Sequence, residues 1–447
     1  MTDLTPHLER FESYAQACRE FHGLIPERFN IAAAICRRHP DAVTRVALHE
    51  AKEAGANTYT FGGLDFLSDK FATALSESGV YPDDRVAVML PQSAALAVAH
   101  LGALKAGAVV VPLPVTADDA WIERALTCCG AKIVVVDESV AERTRFRLQA
   151  LASCFVVRDL RPSAQSSTLK DFWTEVNRAS SDFEAAETEA RSPAFIFLVG
   201  STGELAGVVH SHASVIGQLA AFEMWNNLEV DKDSVFWTGY DWSSINLFGM
   251  LYPAWWYGCS VVASASQNHL DELSLVEQRE ITHVFTSSSH LKALLESQHR
   301  GRFVLKLRTI ATDFALSPEL IERATATLGA TISEVYGRPE TGLIAGTCER
   351  WFASQPGAAG RVVPGRSVEI VDDSGGVVRP NHTSHVAVQK SDPSLFIGYH
   401  NDFAKTDSAF VGDWYLTGDF GYKNEDGDLY ILPSPPARRT IKNYNGC

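Results

Sequence analysis

Long apolar runs are missing from this chain. No uninterrupted stretch approaches the roughly 18 residues needed to cross a bilayer, and the most apolar window, around Val109, is broken upstream by Lys105. Basic clusters are scarce too: Arg438 and Arg439 with Lys442 stand against a formal net charge of −15. That balance argues against a nucleic acid or an anionic membrane as the main partner, because such binding depends on grouped Lys and Arg releasing counterions. No cysteine pair has CxxC spacing and no HExxH occurs, so the eight cysteines, adjacent Cys128 and Cys129 included, read as reduced thiols, most of them buried. His210 and His212 lie two apart with no third ligand in range, which argues against a metal there. The N-terminus, MTDLTPHLERFESYAQ, has early acids and no apolar core and is not a secretory signal. The expected location is the cytoplasm.

What is present is an ordinary globular composition, 46% hydrophobic and 21% charged over 447 residues, enough for two or three packed subdomains. From Thr60 to Asp137 helical and strand patterns alternate: Leu64, Leu67, Phe71 and Leu75 at helical spacing, the strand RVAVML, an alanine-rich helix over 93–106, then AVVVPL and KIVVVD. Continuous apolar strands joined by helices imply a parallel sheet covered on both faces. The pattern resumes after 193 with FIFLV, a helix from about Ser214, SVVAS, ITHVFTS, LRTIAT, a helix from Ser317 and TISEVY, read as a second such sheet. Between them, 161–192 is rich in Ser, Ala, Glu and Asp and reads as a loop-bearing connection. From about 345 short alternating strands with turns, such as Glu425-Asp426-Gly427, suggest a small antiparallel barrel. The expected fold is therefore α/β, two doubly wound, mainly parallel sheets plus a small antiparallel β-barrel. Its expected divisions are 1–192, 193–344, 345–432 and a tail, 433–447.

The stretch FIFLVGSTGELAGVVHSH (195–212) carries the first chemical signal. An apolar strand halts at Gly200-Ser201-Thr202-Gly203, whose small residues let backbone N–H groups close around an anion and whose hydroxyls add donors. By itself this fits neither the Walker A spacing nor GxGxxG, and a plain turn remains the alternative. With it come FWTGYDWSSINLFGMLYPAWWYG (236–258), EVYGRPETG (334–342) and WYLTGDFGYKNEDGDLYIL (414–432). In that order and at those separations the sequence resembles the adenylate-forming superfamily of acyl-CoA synthetases, adenylation domains and luciferases, within it the short and medium-chain acyl-CoA synthetases. The resemblance runs from about Arg28 to Leu432.

It implies that a carboxylic acid attacks the α-phosphorus of ATP to give an acyl adenylate and pyrophosphate, and that a thiol such as coenzyme A takes the acyl group. Gly200, Ser201, Thr202 and Gly203 would wrap the phosphates, with Thr202 and Glu340 in the catalytic roles. Tyr336 would lie against adenine, Glu340 would meet Mg²⁺ through the ATP phosphates, and Asp419 would grip the ribose hydroxyls. Trp237, Tyr240, Asp241, Trp242 and Phe248 match the acyl-pocket region; bulky rings there favour a small or aromatic acid, while an aromatic stripe is otherwise plain core. Departures accompany the match. Relatives read TSGTTGxPKG where this chain has LVGSTGELAG, so the leading Thr-Ser pair is Leu198-Val199, the proline is Leu205 and the lysine is Ala206. Pro339 replaces a threonine, Thr312-Asp313-Phe314 replaces Gly-Gly-Glu, and Pro433 to Ala437 replaces the hinge. No match is found for the C-terminal domain or its lysine. The resemblance thus implies an ATP- or AMP-binding acid activator. The alternative is a catalytically degenerate homologue, binding nucleotide or acyl groups as a regulatory partner of a separate C-terminal domain or an intact homologue.

Overall fold

The computed structural model describes residues 4–433 except 53–54, 149–152, 159–168, 201–203, 265–268, 297–302 and 314. Three sheets organise the chain. The first has eight strands, in the order 398–399, 206–211, 193–199, 109–112, 85–89, 133–137, 153–157 and 169–171. The second has nine: 361–362, 342–346, 331–338, 309–313, 283–286, 235–238, 260–263, 46–52 and 55–60. The third is the five-stranded antiparallel sheet of 368–371, 384–389, 414–423, 410–411 and 429–432, curled into a half-barrel. Among the described residues no helix is long and apolar enough to cross a membrane.

The helices Ala94–Lys105 and Ala213–Trp225 are buried at nearly every position, as their apolar all-round sequences require. They lie between the first two sheets, in one core that takes Val86, Val110 and Phe195 from one sheet and Leu48, Phe236 and Val261 from the other. Ser93 caps the first of them by accepting from the Leu96 N–H. Lys105, which interrupts the apolar window, is buried as well, its ammonium 2.5 and 2.7 Å from Asp65 and Asp69.

Two expectations are corrected. The strand Pro193–Val199 does not open the second sheet; it pairs with Val109–Pro112 in the first, while the hairpin 46–60 pairs with Ser260–Ala263 in the second. The sheets exchange segments across position 192 because parallel pairing is satisfied by any strand with the right apolar face, however distant in sequence. Nor is 169–192 all loop: Asp171 caps a helix, Phe172–Arg178, whose Phe172 and Val176 enter the core. Residues 161–168 and the tail from 434, including Lys442 and most of the altered hinge, lie outside the described residues.

Glu223, on the helix Ala213–Trp225, fastens the N-terminus. Its buried carboxylate accepts from the backbone N–H groups of His7 (3.1 Å) and Leu8 (2.5 Å) and from the Tyr257 hydroxyl. Burial, opposed by these bonds, pushes its pKa up to about 7. A raised carboxyl stabilises the fold fully below its unfolded value near 4.5 and loses that contribution as pH climbs through about 7. Melting of the wild type should therefore drop between pH 5 and 8 relative to Glu223→Gln, by up to ~3 kcal/mol. Parallel melting curves for the two proteins across that range would exclude the assignment.

Candidate functional site

The three sheets converge on one cluster. Strand Thr331–Arg338 turns at 338–341 into Gly342–Gly346 and delivers Tyr336, Arg338 and Glu340; strand Trp414–Lys423 delivers Tyr415 and Asp419; the short strand Gly398–Tyr399, an edge of the first sheet, delivers Tyr399. The buried Tyr336 hydroxyl donates to Asp419 Oδ2 at 2.6 Å. Arg338 Nε reaches the same oxygen at 3.1 Å and the Thr417 carbonyl at 3.4 Å. Burial and the adjacent carboxylate push the Tyr336 phenol well above its ordinary value, so it remains a donor. Gly418, at φ +84° inside the strand Trp414–Lys423, permits the register irregularity opposite 385–387 at which Asp419 stands.

On the other side of the turn the Tyr399 hydroxyl donates to Glu340 Oε1 at 2.9 Å. Tyr415, mostly buried, bonds to Tyr399 in turn, and burial with the Glu340 charge raises the Tyr399 phenol to about 12. The Glu340 backbone carbonyl accepts from Phe396 N–H at 2.7 Å. His210 Nε2 donates to the Pro339 carbonyl at 2.7 Å, which fixes the tautomer, since a carbonyl only accepts; Nδ1 therefore accepts from Ser214 Oγ at 3.1 Å. Burial lowers the His210 pKa to about 4, so the ring is a neutral strut under the turn. The hydroxyl absent at Pro339 is not supplied by its neighbour: Thr341 Oγ1 accepts from the Arg338 N–H at 3.0 Å and faces the Gly342 carbonyl at 2.9 Å, inside the turn.

Beside this cluster opens a cavity of about 110 Å³, mostly apolar, lined by Tyr240, Ile245, Phe285, Gly342 and Leu343 with Asn246, Asp313 and Arg338 as polar members. Of the aromatic residues expected at an acyl pocket only Tyr240 is on its wall. Trp237 is turned by strand alternation into the core with Val262, Val284 and Ile310. Trp242 and Phe248 are buried in the core between the sheets, Trp242 edge-on to Trp255 and Phe248 edge-on to Phe195. Asp241 is exposed and off the cavity wall. Both tryptophans pack as core residues in this structure.

Of the loop expected to wrap the phosphates, Gly200 is described. It has φ +107°, and a Cβ there would come within 2.8 Å of the Glu204 carbonyl, so only glycine fits at 200. Ser201, Thr202 and Gly203 lie outside the described residues, as does Phe314. Leu205 and Ala206 are buried, Leu205 against the core of the first sheet and Ala206 paired with Val199. The sequence gives no sign of these contacts for Tyr399 and His210; for Arg338 the available signal is a charged residue between Gly337 and Pro339 in YGRPE.

Comparison with known proteins puts names beside this geometry. The family of AMP-binding enzymes matches residues 33–400. The mitochondrial acyl-coenzyme A synthetase ACSM3 of Rattus norvegicus is 25% identical over 95% of this chain and 75% of its own length. The acetyl-coenzyme A synthetase of Bacillus subtilis is 25% identical over 94% of this chain and 75% of its own. Among solved structures, an acyl-CoA synthetase of Brucella canis has a TM-score of 0.85 at 23% identity, covering 96% of this chain and 79% of that one. An anthranilate CoA ligase in complex with anthranoyl-AMP has a TM-score of 0.81 at 20% identity, covering 91% and 78%. At these identities the structural likeness is one of fold.

Proposed function

Because the chain belongs to the family of AMP-binding enzymes, we propose that it binds adenine nucleotide across the Tyr336–Asp419 pair and activates a small or aromatic carboxylic acid as its adenylate for transfer to a thiol such as coenzyme A. The observation that carries this reading is the meeting of Tyr336, Arg338 and Glu340, from one hairpin of the second sheet, with Asp419 from the third and Tyr399 from the first, beside an apolar cavity whose wall Arg338 joins. Asp419 supplies acceptor oxygens for ribose hydroxyls, and the Tyr336 ring a face for adenine. Gly200 to Gly203 would turn backbone N–H groups toward the phosphates. The small cavity between Tyr240, Phe285 and Leu343 suits a short or ring-shaped acid body rather than a long chain.

Among the described residues no group of three or more His, Cys, Asp or Glu stands together to hold a metal ion. Glu340 would meet Mg²⁺ as a single carboxylate, with phosphate oxygens and water as the remaining ligands. The metal would screen phosphate charge; Tyr399 holds Glu340 in place for it.

A second reading has its own support. Ala206 is buried where relatives carry the loop lysine, and both carboxylates already have partners within the protein, Tyr336 and Arg338 on Asp419 and Tyr399 on Glu340. Losing a single transition-state donor costs about 3–4 kcal/mol, so a protein with this site can keep nucleotide binding while turnover collapses. In that reading it serves as a nucleotide- or acyl-binding partner of an active homologue.

Acid-dependent exchange of pyrophosphate into ATP, run over acids from acetate through benzoate to long chains, separates the two. The first reading expects the best signal with a short or aromatic acid and none with long chains, and Leu343→Ala should extend the range toward bulkier acids. No exchange with any acid, in a protein that binds AMP, leaves the second reading.

A further inference from the structure

Arg338 is a cation beside the proposed ribose carboxylate. Its guanidinium lines the cavity, its Nε is 3.1 Å from Asp419 Oδ2, and the Cβ that Gly418 lacks would stand 3.8 Å from its Nη2. Its charge also reaches Tyr336, Tyr399 and Tyr415. The side chain is 43% exposed and that of Asp419 22%, so the pair is a solvated ion pair, easily opened. The stretch Leu205-Ala206-Gly207 meanwhile offers no charge to a phosphate.

We infer that Arg338 is an exchangeable occupant of the nucleotide site: in the free protein it neutralises Asp419, and when a ribose takes that carboxylate the freed guanidinium turns to the nucleotide's phosphate. This rests on the reading of Asp419 as the ribose acceptor. One residue then has two opposite effects. It competes with the nucleoside part of the ligand and attracts the phosphate part, in place of the lysine that relatives carry in the loop. A planar guanidinium suits both tasks, since it pairs bidentately with carboxylate and phosphate alike.

Titration calorimetry of the full chain with adenosine and with AMP, for wild type, Arg338→Met and Arg338→Lys, tests this. Arg338→Met is expected to bind adenosine about threefold more tightly, since a solvated pair no longer has to open. It should bind AMP about tenfold more weakly relative to adenosine, since one charge-assisted contact is gone. Arg338→Lys should recover part of the AMP preference. Circular dichroism checks that each variant keeps the fold. An AMP-to-adenosine ratio that is unchanged in Arg338→Met, with both ligands still binding, overturns the inference and leaves the nucleotide site standing. Binding of neither ligand to the wild type removes the nucleotide site and the inference together.

Discussion

Asp419→Ala should weaken AMP binding by about 100-fold or more, the largest single effect expected in the site. In the proposed role this carboxylate accepts from two ribose hydroxyls; hydrogen bonds to a charged group contribute about 1.5–3 kcal/mol each, and about 1.4 kcal/mol is a factor of ten. The folded protein loses less. Asp419 is a partly exposed residue of the strand Trp414–Lys423, and its removal leaves the Tyr336 hydroxyl without its acceptor and Arg338 free to reach water. An unpartnered buried hydroxyl costs about 1–3 kcal/mol, so the variant should still fold. Asp419→Asn keeps the shape and one acceptor oxygen, holds the Tyr336 bond, and should fall between the two. Calorimetry with AMP reads all three proteins. If Asp419→Ala binds AMP as the wild type does, the ribose lies elsewhere and the functional proposal loses its main support.

Gly337→Ala should be the most damaging substitution for the fold among residues at the site. A Cβ at 337 would lie 2.0 Å from the Gly342 carbonyl oxygen and 2.9 Å from Leu343 Cα, all of it backbone in the paired strand. No rotamer relieves such a clash; the hairpin 331–346 has to open, and with it go Tyr336 and Arg338, which flank the glycine. We expect a destabilisation of ~3 kcal/mol or more, in the range of severe overpacking, and loss of AMP binding in what remains folded. Gly329→Ala is the control: its φ of +68° is strained for alanine, but nothing lies within 4 Å of the added carbon, so about 1 kcal/mol is expected. Urea melts of the two variants decide it. If Gly337→Ala proves no worse than Gly329→Ala, the hairpin is looser than its register indicates.

Much of the secondary structure was readable because local chemistry dictates it. Ser317, Pro318 and Gly329 bracket the helix Pro318–Leu328, with Ser317 accepting from the Leu320 N–H and Gly329 taking the left-handed position. Continuous apolar runs such as Ile133–Asp137 became buried parallel strands. The helix Phe172–Arg178 is not legible in the sequence because its three apolar residues, Phe172, Trp173 and Val176, follow a long polar stretch; the core they pack on is made by distant segments. Trp237 and Trp242 resisted assignment for a related reason. A ring facing a cavity and a ring facing a core look alike in a linear chain, and only the packing of 262, 284 and 310 around Trp237 distinguishes them.

The sequence by itself determined the family resemblance, the order of the elements, and which residues carry charge or hydroxyls near glycine turns, since these depend on residue identity and short spacing. Tertiary structure decided which strands share a sheet, because parallel pairing joins segments such as Val109–Pro112 and Pro193–Val199 across intervening helices and strands. It also decided that Arg338 and Tyr336 meet Asp419 and that Tyr399 meets Glu340, contacts spanning 81, 83 and 59 residues. Electrostatic partnership is a matter of distance in space, and that distance exists only once three sheets have packed against one another.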